Sequence, residues 1–153
     1  MRSDQREVEM RSFSSIVVDV PVEKVWEAIR DFNGLPVWHP AIASSEIEDG
    51  GDPARVGCVR KLALADGGEV RERLIGLDDA ARSCTYEFVT SPFNVRSYRS
   101  TIQALPVTAS GATFVRWFAD FDADAADEAE LDRTFTQGVY ATGLNGLSDH
   151  LSG

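Results

Sequence analysis

A chain of 153 residues, 43% hydrophobic and 26% charged, has the size and composition of one globular domain. At this length roughly 70% of the unfolded surface is buried, so the core needs no disulfide or metal staple. The formal net charge of −10, with only 15 scattered basic residues, argues against nucleic acid and anionic membranes as partners.

Residues 1–11 are charged and lack the apolar core of a signal peptide, so they read as a flexible extension ahead of a single domain over 12–153. Met10 reads as an alternative start. No apolar run reaches membrane-spanning length, which points to a cytoplasmic protein without stable membrane insertion. Phe13 to Val20 reads as a strand, and a helix follows: Val22, Val25, Trp26, Ile29 and Phe32 share one helical face. Pro21 suits the first turn. Asn33-Gly34 offers a left-handed stop, and Pro36 bars continuation into a Trp38-His39-Pro40 corner.

Residues 57–64 and 68–77 flank Ala65-Asp66-Gly67, a hairpin signal. Alternation gives the inward sets as Cys58, Arg60, Leu62 and Leu64, then Val70, Glu72 and Leu74. Opposed residues share a face, so even must pair with even. An Asp66-Gly67-Gly68 loop with a bulge pairs Leu64 with Val70 and Leu62 with Glu72, leaving Arg60 diagonal to Glu72. A strand over 82–90 turns Cys84, Tyr86 and Phe88 inward, and a five-residue loop over Leu77–Ala81 sets Tyr86 opposite Glu72.

Two further strands follow. Over 97–105, Tyr98, Ser100, Ile102 and Ala104 face inward; over 112–122, Thr113, Val115, Trp117, Ala119 and Phe121 do. Phe114 and Phe118 lie on the other face, suited to cover by the N-terminal arm or by a second subunit in a homodimer. The chain ends in a long helix with Asp124 or Asp127 as its cap. Leu131, Phe135, Gly138 and Thr142 form one stripe, and Tyr140, Leu144, Leu147 and Leu151 the next. Gly138, Gly143 and Gly146 are costly in a helix interior and imply close approach to the sheet or room for a ligand.

The order strand, helix, antiparallel meander, long final helix makes an α+β helix-grip fold: a curved sheet of about six to seven strands wrapped around the C-terminal helix, with short helices after the first strand. The wording of PVEKVWEAIRDFNGLPVWHPAI (21–42), GCVRKLALADGGEVRERLIGLDD (57–79), YEFVTSPFNVRSY (86–98), TFVRWFADFD (113–122) and YATGLNGLSDHL (140–151) resembles one family across nearly the whole chain. That family is the polyketide cyclase/dehydrase-like branch of the SRPBCC superfamily, related to START lipid-transfer domains and the birch pollen allergen fold. The resemblance implies a deep apolar cavity between sheet and final helix. Members include lipid and hormone carriers, aromatic polyketide cyclases and chaperone activators, so turnover is left open.

The function expected is binding of a small hydrophobic or aromatic molecule, lipid- or polyketide-like, with no cofactor. Two alternatives stand beside it: a cyclase or dehydratase, and an interaction module. Arg60 and Glu72 are expensive to face inward unless paired. They fit either a structural salt bridge or a ligand contact, and Glu72, Arg60 and Tyr86 are the candidate catalytic groups, with Glu72 as base. Phe88, Tyr98, Trp117 and Phe135 fit a filled core or a cavity wall. Trp38 fits the pocket mouth or a core plug. His39 fits loop packing or general acid–base work. Phe93 and Asn94 fit an entrance lid. Cys58 and Cys84 lack metal or redox spacing and read as buried thiols, and the two histidines define no metal site. Signatures of serine hydrolases, NTPases, dinucleotide enzymes and zincins are absent from the sequence.

Overall fold

The computed structural model describes residues 12–153; the extension expected over 1–11 lies outside the described residues. The elements are β1 (Ser12–Val18), α1 (Val22–Arg30), α2 (Leu35–Trp38), β2 (Ile42–Ile47), β3 (Val59–Leu64), β4 (Glu69–Asp78), β5 (Ser83–Thr90), β6 (Ser97–Val107) and β7 (Ala112–Asp122). The C-terminal helix comprises α3 (Ala125–Arg133), a π segment (Thr134–Ala141) and α4 (Thr142–Ser152). All seven strands form one antiparallel curved sheet in the order β1-β7-β6-β5-β4-β3-β2. The α+β helix-grip architecture is therefore present, and β2, which the sequence pattern did not single out, closes one edge.

Four local expectations are corrected. Helix α1 ends without a left-handed residue: Gly34 has φ −95°, and the stop is a turn in which the Gly34 N–H donates to Asp31 O at 2.9 Å. Asp31 Oδ1 also accepts the Asn33 N–H. Pro36 then opens α2, where its missing N–H costs nothing.

The β3–β4 loop is Ala65-Asp66-Gly67, one residue earlier than expected, with Gly67 at φ 101°. Leu62 thus pairs with Val70 and Arg60 directly with Glu72, a slip of two that preserves every inward assignment. In the β4–β5 hairpin Asp78 pairs with Ser83, so the loop has an even length and joins opposite parities. A bulge between Leu74 and Gly76 restores the alternation, placing Tyr86 opposite Leu74 and Phe88 opposite Glu72. Finally, Asp124 occupies the cap position of α3, but its carboxylate accepts from Arg96 rather than from the helix, and Asp127 accepts from Asn94.

The helix crosses the inner face of the sheet and is tied to the β1 edge by Ser12 Oγ donating to Asp132 and Ser14 Oγ donating to Thr136 O. The π segment widens one stretch of it, so Phe135 and Tyr140, five residues apart, are both fully buried. Two of its glycines mark close approach. A Cβ on Gly143 would fall 2.5 Å from the His39 ring, and one on Gly146 would fall 2.2 Å from the Trp38 carbonyl. Gly138 has nothing within 4 Å. On the outer face Phe118 stacks on Phe13, and the Arg116 guanidinium lies over Phe118 at 5.1 Å. Both cysteines are free and buried, and burial pushes the Cys84 thiol up to about 11.

Candidate functional site

Parity alone sends the even residues of β3 to β6 and the odd residues of β7 inward, but it does not say whether they meet filler or space. They meet both. Under α1 and α2 the rings of Trp26, Phe32 and Trp38 fill the sheet's concavity. Under the π segment there is a cavity of about 290 Å³. Its aromatic wall is built around Phe135, whose ring lies 4.8 Å from Tyr98, 5.2 Å from Phe93 and 5.3 Å from Phe121. Phe88 stacks on Tyr98 at 3.8 Å and 11°. Leu62, Leu64 and Val70 supply the aliphatic side, and Asp66 stands at the rim.

His39, Glu72, Tyr86, Phe88, Phe93, Tyr98, Trp117 and Phe135 line this cavity; Trp38 and Arg60 do not. Both instead border a gap of about 10 Å³ on the filled side. Trp38 is a plug: its ring lies 5.8 Å from Trp117, its carbonyl meets the helix at Gly146, and its indole N–H is sealed without a partner. Phe93 sits in the wall, and Asn94 anchors the same loop to α3 through Asp127 at 2.9 Å.

Arg60 and Glu72 straddle the boundary between the two halves. Arg60 Nε and Nη2 both approach Glu72 Oε1, at 2.9 and 2.7 Å. Arg60 Nη1 donates to Phe32 O at 2.8 Å, and the guanidinium lies 3.9 Å over the Phe32 ring and 4.8 Å from that of Tyr86. The cation is thus satisfied from the filled side. Glu72 Oε2 takes no hydrogen bond among the described residues, yet it is not one of their sealed, unpartnered polar atoms. Its open side is the cavity that Glu72 lines. Burial raises the Glu72 carboxyl above the ordinary carboxylate range, and Arg60 opposes that shift. Burial works most strongly against the Arg60 charge, but Glu72, Tyr86 and Cys84 together outweigh it and hold the guanidinium above its ordinary value.

A hydroxyl network runs along the floor. Trp117 Nε1 donates to Tyr86 Oη and Ser100 Oγ, each at 3.1 Å, and Ser100 Oγ donates to Phe118 O at 3.1 Å. With its proton committed to that carbonyl, Ser100 must accept from Tyr140, 3.1 Å away, and Tyr140 must accept in turn from Tyr98. The chain of donors therefore runs Tyr98, Tyr140, Ser100, backbone, and ends there. Burial pushes all three tyrosines well above the usual phenol range, so they remain neutral donors. Ser100 and Tyr140 were not singled out as site residues. Ser100 carried a signal, a small hydroxyl on an otherwise apolar inward face; Tyr140 became legible only with the π segment.

His39 has both ring nitrogens committed. Nε2 lies 2.8 Å from Val139 O, a pure acceptor, so it carries the proton, and Nδ1 accepts the Ala41 N–H at 3.2 Å. Burial lowers its pKa, against the pull of the Val139 carbonyl. It therefore packs the corner as a neutral ring, with Trp117 edge-on at 5.9 Å. Among the described residues no cluster of His, Cys, Asp and Glu has the grouping of a metal site, and no helix is long and apolar enough to cross a membrane.

With the geometry in place, the comparisons with known proteins bear on it. The sequence model of a family described as polyketide cyclase/dehydrase and lipid transport matches residues 10–152. XoxI from Bacillus cereus is 36% identical with a TM-score of 0.80, over 90% of this chain and 92% of its own. An uncharacterised protein from Bacillus thuringiensis is 34% identical with a TM-score of 0.79, over 93% of this chain and 98% of its own. The di-domain ARO/CYC BexL of the BE-7585A biosynthetic pathway has a TM-score of 0.77 at 19% identity, over 92% of this chain and 46% of its own, a likeness of fold alone. Among curated proteins there is no match.

Proposed function

The chain belongs to the polyketide cyclase/dehydrase and lipid transport family, and from that membership we propose that it binds a small, ring-containing apolar molecule in the cavity beneath the π segment. The observation that carries this reading is the hollow half itself: about 290 Å³ walled by Phe88, Phe93, Tyr98 and Phe135, beside a half that is filled. That volume is at the small end of ligand pockets, which run about 300–1,000 Å³. It suits one or two fused rings better than a long acyl chain. The test is displacement of the neutral fluorophore N-phenyl-1-naphthylamine, with native mass spectrometry of the freshly purified chain. Saturable binding at one site supports the reading. A protein that neither binds the fluorophore nor carries or accepts any apolar ligand sinks it.

One observation favours turnover as a second reading. Glu72 presents an unpaired carboxylate oxygen to the cavity, and burial raises its basicity. In a cyclase or dehydratase, Glu72 would remove the proton alpha to a ligand carbonyl, and Tyr86 would hydrogen-bond to the enolate oxygen from the same wall. Once a substrate is identified, turnover that survives Glu72→Gln removes this second reading and leaves the first untouched.

A further inference from the structure

The cavity wall is apolar except at a few atoms, and those that carry charge have one sign. Its charged groups among the described residues are both carboxylates, Glu72 in the wall and Asp66 at the rim; no lysine or arginine lines it. The buried cation, Arg60, is turned to the other side, where Glu72 Oε1, the Phe32 carbonyl and the Phe32 ring occupy it. His39 is uncharged and has both nitrogens bonded to backbone. The hydroxyls of Tyr98 and Tyr140 are spent in a donor chain that ends on Phe118 O. What is left facing the interior is the Tyr86 hydroxyl, which accepts from Trp117 and keeps its own proton, and Glu72 Oε2, the charged acceptor, on a side chain only 7% exposed.

A buried carboxylate oxygen without a partner is expensive, and its cost is relieved by a donor and increased by a second anion. Resting on the proposal that the cavity binds a ring-containing molecule, we infer that the ligand carries a hydroxyl or amine donor directed at Glu72 Oε2, and that the site rejects carboxylates and other anions. The net charge of −10 adds a long-range term of the same sign. Fatty acids and aromatic acids are therefore poor ligands here despite the apolar wall. Phenols, alicyclic alcohols and aromatic amines are good ones.

The test uses four probes of one shape: naphthalene, 2-naphthol, 2-naphthylmethylamine and 2-naphthoate, titrated at pH 7 into the full chain and followed by amide chemical shifts. At least one donor probe is expected to bind about tenfold or more tighter than both naphthalene and naphthoate, the worth of one hydrogen bond to a charged acceptor. A preference for naphthol assigns a neutral donor; a preference for the amine assigns an ion pair. In Glu72→Gln the penalty on naphthoate shrinks or inverts, because the Arg60 charge behind the wall is no longer balanced. The wild-type ranking decides the matter even if that variant fails to fold. If naphthalene binds but naphthoate matches or exceeds both donor probes, or if neither donor exceeds naphthalene, the polarity assignment is overturned and the cavity reading survives. If none of the four binds, both fall.

Discussion

The same strands of one sheet build a solid half and a hollow half. Beneath α1 and α2 the gap beside Arg60 is about 10 Å³, scarcely room for one water. Beneath the π segment it is about 290 Å³. Both halves use large aromatic side chains on inward-facing strand positions, so residue type does not set the difference. Backbone approach does. Trp38 is pressed against the helix at Gly146 and His39 at Gly143, where the missing side chains make room, whereas the wide turn around Gly138 leaves that space to no neighbour. Arg60 and Glu72 form the wall between, the cation sealed on the solid side and the carboxylate open to the hollow one.

The largest effect expected comes from dividing that pair. Glu72→Leu strands a guanidinium that is sealed and cannot lose its proton, at a cost of about 3–5 kcal/mol. Arg60→Met strands a carboxylate that faces the cavity and can take up a proton, at about 1–3 kcal/mol at pH 7. The second cost also shrinks as pH falls. A carboxyl whose folded pKa lies above its unfolded value is penalised while ionised, and the penalty is relieved on protonation. Urea denaturation of both variants at pH 8 and pH 5 checks the order and the trend. Equal costs at both pH values would remove the distinction between a sealed and an open partner.

The glycines give the next contrast. Gly146→Ala drives a methyl into the Trp38 carbonyl, a backbone atom, and should cost about 1–3 kcal/mol or more. Gly138→Ala meets open space and should gain about 0.5–1 kcal/mol from helix propensity. Thermal denaturation of the two variants decides it, and a loss of stability at Gly138 would mean that the helix there is less open than its surroundings indicate.

These contrasts also mark what the sequence could convey. The α1 stripe Val22, Val25, Trp26, Ile29, and the parity of Arg60, Leu62, Val70 and Glu72, were readable because they depend only on local period. The register was not, since a one-residue difference in where the Ala65-Asp66-Gly67 turn begins shifts every pairing by two while keeping each residue on its face. The shared burial of Tyr140 and Phe135 was hidden by the π segment, because five residues of α-helix would set them on different faces. Most of all, inward-facing aromatics are the same pattern whether they fill a core or wall a cavity. Which of the two occurs depends on how closely the helix approaches, and the glycines announced that approach without locating it.

Adding one ring to each half should separate them further. Ile102→Phe overpacks the solid side, where it borders a gap of about 10 Å³, and should cost about 1–3 kcal/mol. Val70→Phe points its added ring into the cavity, should change stability by less than about 1 kcal/mol, and should abolish N-phenyl-1-naphthylamine binding. Melting temperatures and a fluorophore titration on both variants test this. Undiminished fluorophore binding in folded Val70→Phe would place the bound probe elsewhere.

The smallest effect probes the corner where the halves meet. His39 is neutral, with a proton on Nε2 given to Val139 O and a lone pair on Nδ1 receiving the Ala41 N–H. A second proton would face that N–H directly, and burial already lowers the pKa from its ordinary 6.5. As pH falls below 6.5 the unfolded chain therefore binds the proton first, so the contribution of His39 to stability is complete above that pH and is lost progressively below it. The slope from one such group cannot exceed about 1.4 kcal/mol per pH unit. Urea midpoints between pH 7.5 and 5.5 should fall in the wild type and fall less in His39→Gln, the difference isolating His39 from the carboxylates that titrate lower. The drop should steepen when the cavity is filled by naphthalene, because a dry neighbour solvates an imidazolium less well than a wet one. A drop that is unchanged on filling would put His39 with the solid half rather than on the wall of the hollow one.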